Sequence, residues 1–205
     1  MKFFAKLDLI TLSEVEVKAW VIIVLIGIFG LIFYVAQLRA KKRTEAMRTI
    51  AESLKMKFEA EKCDPSKLGL DGINLFEKGR SRKVLNLIKG TFEDINTFIF
   101  DYHYVTGGGK NSSQHSQTVI AYKICSKDGF QLPQFTCKPE RFYHKFADMF
   151  GFEDIDFEQY PEFSKAYRLN GDDADSVRKI FNETVIRQLE AESKQRWNVD
   201  AAGEW

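Results

Sequence analysis

Twenty consecutive uncharged residues, Ala19–Leu38 (AWVIIVLIGIFGLIFYVAQL), constrain this chain more than any other feature. At about 1.5 Å rise per helical residue they match the roughly 30 Å hydrocarbon core of a bilayer. A buried helix of a water-soluble domain is normally shorter and keeps a polar stripe, which is missing here apart from Gln37. A cleaved leader is disfavoured by Asp8, Glu14 and Glu16 upstream and by the lack of a small-x-small site after the apolar run. The segment therefore reads as an N-terminal transmembrane helix, with Trp20 and Tyr34 near its two ends at headgroup level. Ser13-Glu14-Val15-Glu16 fits a capping box, which places the helix start at Ser13. Phe3, Phe4, Leu7 and Ile10 upstream suit one face of a separate short interfacial helix within 1–18.

The flanks set an expected orientation. Residues 1–18 hold three lysines and three acids, whereas Arg39, Lys41, Lys42 and Arg43 crowd the other side. Basic flanks stay in the cytoplasm, so the N-terminus is expected outside and the remainder is expected as a cytoplasmic domain. On that side the sequons at Asn111 and Asn182 are chance matches, because glycosylation needs the opposite compartment.

The whole chain has 205 residues, with 30 Lys+Arg against 29 Asp+Glu, which excludes a strongly basic nucleic-acid binder and a highly charged disordered chain. Eighteen phenylalanines against four prolines and 13 glycines supply a real core, for one domain plus the anchor. Cys63, Cys125 and Cys137 form neither a disulfide framework nor a zinc ribbon, since the count is odd and no C-x-x-C occurs.

The expected organisation is a segment 1–18, a span 19–38, a basic helical stalk 39–55 and an α+β domain 56–205. No glycine or proline interrupts 31–63, and Ala46, Met47, Ile50, Ala51 and Leu54 recur at helical spacing, so the helix is expected to run to about Leu54. Met56, Phe58 and Ala60 alternate as a short strand, and Asp64-Pro65, Gly69 and Gly72 mark an irregular link. An antiparallel meander follows: strands 83–89, 95–105, 116–125 and 130–137, with turns expected at Gly90 and Lys127-Asp128-Gly129. Pro133 predicts that the last of these is an edge strand or is bulged. A Phe-rich helix is expected from Pro139-Glu140 to Gly151, carrying His144, then a strand 163–169, a turn at Asn170-Gly171 and one helix from Asp172 through Leu189. Residues 197–205 resemble the entry into a hairpin or a strand without its partner, which suggests a C-terminally truncated chain.

Gly107-Gly108-Gly109-Lys110 invites a phosphate-loop reading, but Tyr104 stands where a Walker glycine is needed and a strand follows instead of a helix. Asp101, His103, Ser112, Ser113 and His115 flank that loop and could assemble a Ser-His-Asp or two-histidine site across the 101–115 hairpin. No nucleophile elbow or H-E-x-x-H occurs, and the acidic run Glu153, Asp154, Asp156 and Glu158 lacks the EF-hand glycine. No metal or cofactor is expected. Residues 39–150 hold 20 basic and 13 acidic side chains, an excess of +7, against 7 and 13, or −6, in 151–205. Lys78, Arg80, Arg82 and Lys83 form a second basic cluster that an anionic leaflet would attract. The acidic C-terminal part is then expected to face the cytoplasm.

The anchor followed by Arg39-Ala-Lys-Lys-Arg-Thr-Glu-Ala46, then Phe76-Glu-Lys-Gly-Arg-Ser-Arg82, Phe100-Asp-Tyr-His-Tyr104, Gly109-Lys-Asn-Ser-Ser113, Lys138-Pro-Glu140 and Asp154-Ile-Asp-Phe157, resembles an uncharacterised family of bacterial single-pass membrane proteins. The resemblance covers most of the chain. It implies an inner-membrane setting and a further strand and helix beyond Trp205, and it brings no assigned activity. The function expected from the sequence is a membrane-anchored binding module, for a protein partner or an anionic lipid surface, through Arg39, Lys41, Lys42, Arg43, Arg80, Arg82 and Lys83. The alternative is a tethered enzyme with a non-local active site near the 101–115 hairpin.

Overall fold

The computed structural model describes residues 2–124, 129–140 and 153–205. The Phe-rich helix, with its His144, therefore falls for the most part outside the described residues, as do Lys127-Asp128 and Cys125. The chain divides into two units, Met1–Ile50 and Ala51–Trp205. The protein is α+β, mixing helices with antiparallel sheet behind one long apolar N-terminal helix.

That helix, α1 (Lys2–Ser53), is ~78 Å of uninterrupted helix at 1.5 Å per residue. It begins at Lys2 and not at Ser13, so the capping-box start and the separate interfacial helix are both overturned. No glycine or proline lies in 2–18, and nothing in that segment stops the helix from propagating through the Ser13 box. From Trp20 to Leu38 every side chain is exposed, and the helix is long and apolar enough to cross a membrane.

In the second unit the first sheet is ordered β1 (Lys57–Glu59), β2 (Arg80–Phe92), β3 (Ile95–Thr106), β4 (Ser113–Lys123), all antiparallel. Strand β2 runs straight through Gly90, which pairs with Thr97; the turn lies at Glu93-Asp94, both with positive φ. Two consecutive left-handed residues match the twist of a two-residue hairpin, which is why the reversal sits there. Gly90 is needed instead because Met56 presses on it: a Cβ at this position would lie 2.7 Å from the Met56 Cγ. Two bulges interrupt β2, between Arg80 and Lys83 and between Leu85 and Ile88, with Ser81 and Asn86 in the left-handed region.

Between β1 and β2 the link is ordered. Asp64 caps a 3-10 turn at Pro65–Leu68 by accepting from the Ser66 amide, and Cys63 exchanges both backbone hydrogen bonds with Val84. A one-turn helix α2 (Asn74–Glu77) then buries Phe76. Phe76 packs edge-on to Tyr102 at 4.9 Å, in a core with Leu70, Ile73, Val84, Leu87 and Phe100.

The meander stops at four strands. Strand β5 (Leu132–Pro139) belongs to a second sheet, ordered β6 (Glu153–Asp154), β7 (Tyr167–Gly171), β5, β8 (Val199–Gly203), again antiparallel. Pro133 sits in an interior strand, tolerated because the β5–β8 register is bulged between Leu132 and Phe135. Residues 163–166, expected in a strand, are the end of helix α3 (Pro161–Ala166), started by Pro161 at its first position. Asn170 and Gly171 continue β7 instead of turning. The expected single helix 172–189 is two: α4 (Ala174–Ile180), capped by Asp173, and α5 (Glu183–Ala191), capped by Asn182 through its bond from the Val185 amide. Strand β8 is not partnerless; it pairs with β5.

The second core gathers Phe135, Ile155, Phe163, Leu169, Val177 and Phe181 under this sheet. Gly171 packs tightly against this core, since a Cβ there would lie 2.7 Å from Val177 Cγ2 and 3.2 Å from the Gln134 carbonyl oxygen. Gly171→Ala is therefore expected to cost about 1–3 kcal/mol of overpacking. Gly108→Ala, at a glycine with nothing within 4 Å, is expected to be neutral. Urea unfolding of the full chain in detergent, followed by near-UV circular dichroism, checks the pair.

Candidate functional site

The basic residues expected to contact a surface are sorted by the fold into three groups. Arg39, Lys41, Lys42 and Arg43 lie exposed on α1 directly after the apolar run. At 100° per residue they occupy most of the helix circumference and form a cationic collar. In the second unit Arg80 and Lys83 are exposed at the start of β2, opposite Val105 and His103 at the end of β3. Arg82 turns inward and is half-buried, with Nη1 donating to the Phe76 carbonyl oxygen at 2.5 Å. Lys78 is buried, at 7% exposure, and leaves the surface cluster altogether.

Two features that were separate in the sequence meet here. Arg80 Nη1 donates to the carbonyl oxygen of Gly107, which ties the β2 cluster to the glycine loop. Gly107 has φ of +72°, and a Cβ on it would lie 2.3 Å from the Asn111 carbonyl oxygen, so only glycine fits. Residues Gly109–Asn111 make a 3-10 turn that exposes Lys110, and the Ser112 hydroxyl closes it on the Gly109 carbonyl oxygen at 3.2 Å. Strand β4 follows directly, so the loop builds no helix N-terminus. What it builds is a turn that places Lys110 at the same end of the sheet as Arg80 and Lys83.

The residues suggested for a hairpin active site do not converge. Register places His103 opposite Ser116 and Tyr104 opposite His115, and paired residues share a face. Asp101 and His103 thus lie on one face and His115 on the other, stacked at 4.6 Å on Tyr104. The buried Asp101 carboxylate accepts from Asn86 at 3.0 Å and from Thr118 at 3.1 Å. The left-handed bulge at Asn86 is what aims that amide. His103 meets Ser116 at 3.1 Å, and His115 meets Thr106 at 2.7 Å. Ser112 is used in its own turn, and Ser113 opens β4. In the acidic run, Asp154 pairs with Arg168 at 2.8 Å. Among the described residues no group of three or more His, Cys, Asp or Glu side chains could hold a metal ion.

One cluster had no signature in the sequence. Asn74 donates to Thr136 at 2.8 Å, Thr136 donates to Asp200 at 2.6 Å, and the Lys138 ammonium lies 3.7 Å from the same carboxylate. Burial, with the positive charge of Lys138 beside it, lowers the Lys78 ammonium to about 8, partly opposed by Asp200. Burial likewise raises the Cys137 thiol to about 12. In sequence Lys78 reads as one more cation of the run that ends at Lys83. Only the fold shows it turned into the space between the two sheets.

Comparison with protein-family models, curated proteins and solved structures finds no match to this chain. The site is therefore read from its own geometry.

Lys78 carries a pH signature. Its folded value of about 8 lies below the ordinary 10.5, so above pH 8 the unfolded chain holds more protons than the folded one and stability rises with pH. Cys137 acts oppositely from pH 9 upward, because its folded thiol keeps a proton that the unfolded one loses. Between pH 7 and 9 the unfolding midpoint of wild type is expected to rise relative to that of Lys78→Met. Parallel profiles for the two, read by thermal unfolding of the full chain in detergent, would exclude this assignment.

Proposed function

We propose that this chain is a single-pass membrane protein with its N-terminus outside and its folded α+β unit in the cytoplasm. There it works as a tethered binding module that engages anionic lipid headgroups. The resemblance noted above favours a bacterial inner membrane as the setting. The observation that carries the reading is the exposed collar of Arg39, Lys41, Lys42 and Arg43 at the end of a span-length apolar helix. Such a collar is held on the cytoplasmic side and is attracted to the anionic leaflet there.

The second contribution comes from Arg80, Lys83 and Lys110, all exposed at one end of the first sheet. Each Lys or Arg near an anionic surface is worth about 1 kcal/mol. The attraction dies away within a Debye length of about 10 Å at 0.1 M salt. Three such side chains on a unit already tethered supply enough to bias its docking, and too little to hold an untethered protein. The contact is therefore expected to be reversible and salt-sensitive.

The test is hydrogen exchange on the full chain in nanodiscs, either phosphatidylcholine alone or phosphatidylcholine mixed with phosphatidylglycerol. Amides in the segments 79–84 and 105–112 are expected to exchange more slowly in the anionic discs. High salt, or Lys83→Glu with Lys110→Glu, should abolish the difference. Identical exchange in both lipids would overturn the lipid reading.

A further inference from the structure

Lys78 is buried, yet it serves neither apolar core nor the lipid contact proposed above, and the second sheet lays out a row of charges in front of it. On β5, Thr136 and Lys138 alternate with the core residues Phe135 and Cys137, so they share the face turned away from that core. Register extends this face across the sheet: Asp200 on β8 stands opposite Thr136, and Arg168 on β7 stands opposite Lys138. Directly opposed residues have Cβ atoms about 4.5–5.5 Å apart, so the cationic heads of Lys138 and Arg168 reach the same space. Arg168 pairs with Asp154 at 2.8 Å, and Lys138 lies 3.7 Å from Asp200. Asp154 in turn feels Asp156 and Glu140, whereas the charges acting on Lys78 are those of Lys138 and Asp200.

Exposure falls along this row, from 27% for the Arg168 side chain and 22% for that of Lys138 to 9% for that of Asp200. The row thus opens to water at Arg168 and closes on Lys78. An ammonium offers only donors, so Lys78 gains nothing from lying against Lys138 while both are protonated. An amine kept free by burial and by a neighbouring cation is a nucleophile toward carbonyl carbon. With its proton affinity lowered to about 8, Lys78 holds on the order of 100-fold more free amine at pH 8 than an ordinary lysine does. Arg168 and Lys138 supply the other half of the recognition, since a guanidinium fork and an ammonium are the usual donors to a carboxylate.

We infer that this face takes a small α-oxo acid, whose carboxylate is held by Arg168 and Lys138 and whose carbonyl carbon condenses with the Lys78 amine. The nitrogen lone pair forms the new C–N bond, and the carbonyl oxygen becomes the hydroxyl of a carbinolamine. That oxygen then leaves as water, both of whose hydrogens come from the amine, and a C=N bond remains. Asp200 stands where it takes a proton from the nitrogen and returns it to the departing oxygen. The step needs no oxidant, reductant or cofactor. A simple carboxylate would satisfy the two cations and leave Lys78 idle, which is why the ligand is assigned a carbonyl group as well. The site shares no residue with the lipid contact and does not rest on it.

The experiment incubates the full chain, in detergent at pH 8, with glyoxylate and sodium cyanoborohydride, which reduces an imine to a stable secondary amine. Peptide mass mapping then locates the label. Acetaldehyde, which has the carbonyl and lacks the carboxylate, is the parallel probe. With glyoxylate, Lys78 is expected to be labelled about 10-fold faster than the exposed Lys83 and Lys110, restricted access offsetting part of its gain in free amine. With acetaldehyde that preference is expected to shrink. Arg168→Gln should remove the advantage of glyoxylate over acetaldehyde at Lys78 and leave acetaldehyde labelling in place, a split that a general loss of folding would not give. Lys138→Met should slow both probes, and Lys138→Arg should restore both. The wild-type comparison decides without any variant: glyoxylate label confined to exposed lysines, or Lys78 taking glyoxylate and acetaldehyde alike, overturns the proposal. An undiminished glyoxylate advantage in Arg168→Gln overturns it too.

Discussion

The second unit depends on how its two sheets are fastened to each other, because they share no strand. Three hydrogen-bonding residues make the fastening: the buried Asn74 beside the first core, the buried Thr136 on β5 and the half-buried Asp200 on β8. Gln134 adds a bond from β5 to the Gly72 carbonyl oxygen at 3.3 Å. A carboxylate largely withdrawn from water is costly unless it is paired and hydrogen-bonded, so Asp200 requires Thr136 and the Lys138 ammonium to be in place. That requirement makes the alignment specific, since sliding one sheet past the other would strand the charge. Lys78, pressed into the same space, leaves two ammonium groups against one carboxylate. Its lowered proton affinity follows first from burial and then from that excess.

The C-terminal residues complete the fastening from the other side. Strand β8 belongs to the second sheet through β5, yet the residues that follow it rest on the first. Trp205 meets Phe98 edge-on at 5.2 Å, and Ile124 donates its amide to the Glu204 carbonyl oxygen at 2.7 Å. Lys123 then pairs with Glu204 and lies 5.5 Å over the Trp205 ring. Ala201 sits in the second core while Ala202 packs on the first, so a single short strand serves both.

What was legible in the sequence was legible by period. The apolar run 19–38 needs no partner to declare itself, and the alternation Phe98, Phe100, Tyr102, Tyr104 fixes β3 and its buried face. The failures share a physical cause, which is that the deciding contact is non-local. Gly90 looks like a turn until Met56 is seen against it, and Gly171 looks like one until Val177 is. Glu93-Asp94 carries the real turn without glycine or proline to announce it. The partner of β8 lies over sixty residues upstream, so 197–205 looked unpaired. For the candidate site, the pairing of Tyr104 with His115 decides that Asp101 and His115 are on opposite faces. That parity depends on loop length, and the loop length depends on the turn at Gly109–Asn111.

The charge asymmetry along the chain is a further case in which sequence distance misleads. The excess of acids after residue 150 suggested an acidic side turned to the cytoplasm, apart from a basic side near the membrane. In the fold several of those acids face cations instead: Glu204 pairs with Lys123, Asp200 with Lys138, Asp154 with Arg168 and Glu183 with Arg187. The first two of these pairs cross from the acidic part to the basic part, so the two excesses partly cancel in space. What survives is local, because β2 begins and the glycine loop closes at one end of the first sheet. There the Gly107 carbonyl holds Arg80, and the 3-10 turn sets out Lys110. A surface potential is built by such placement and not by net charge, which for the whole chain is only +1.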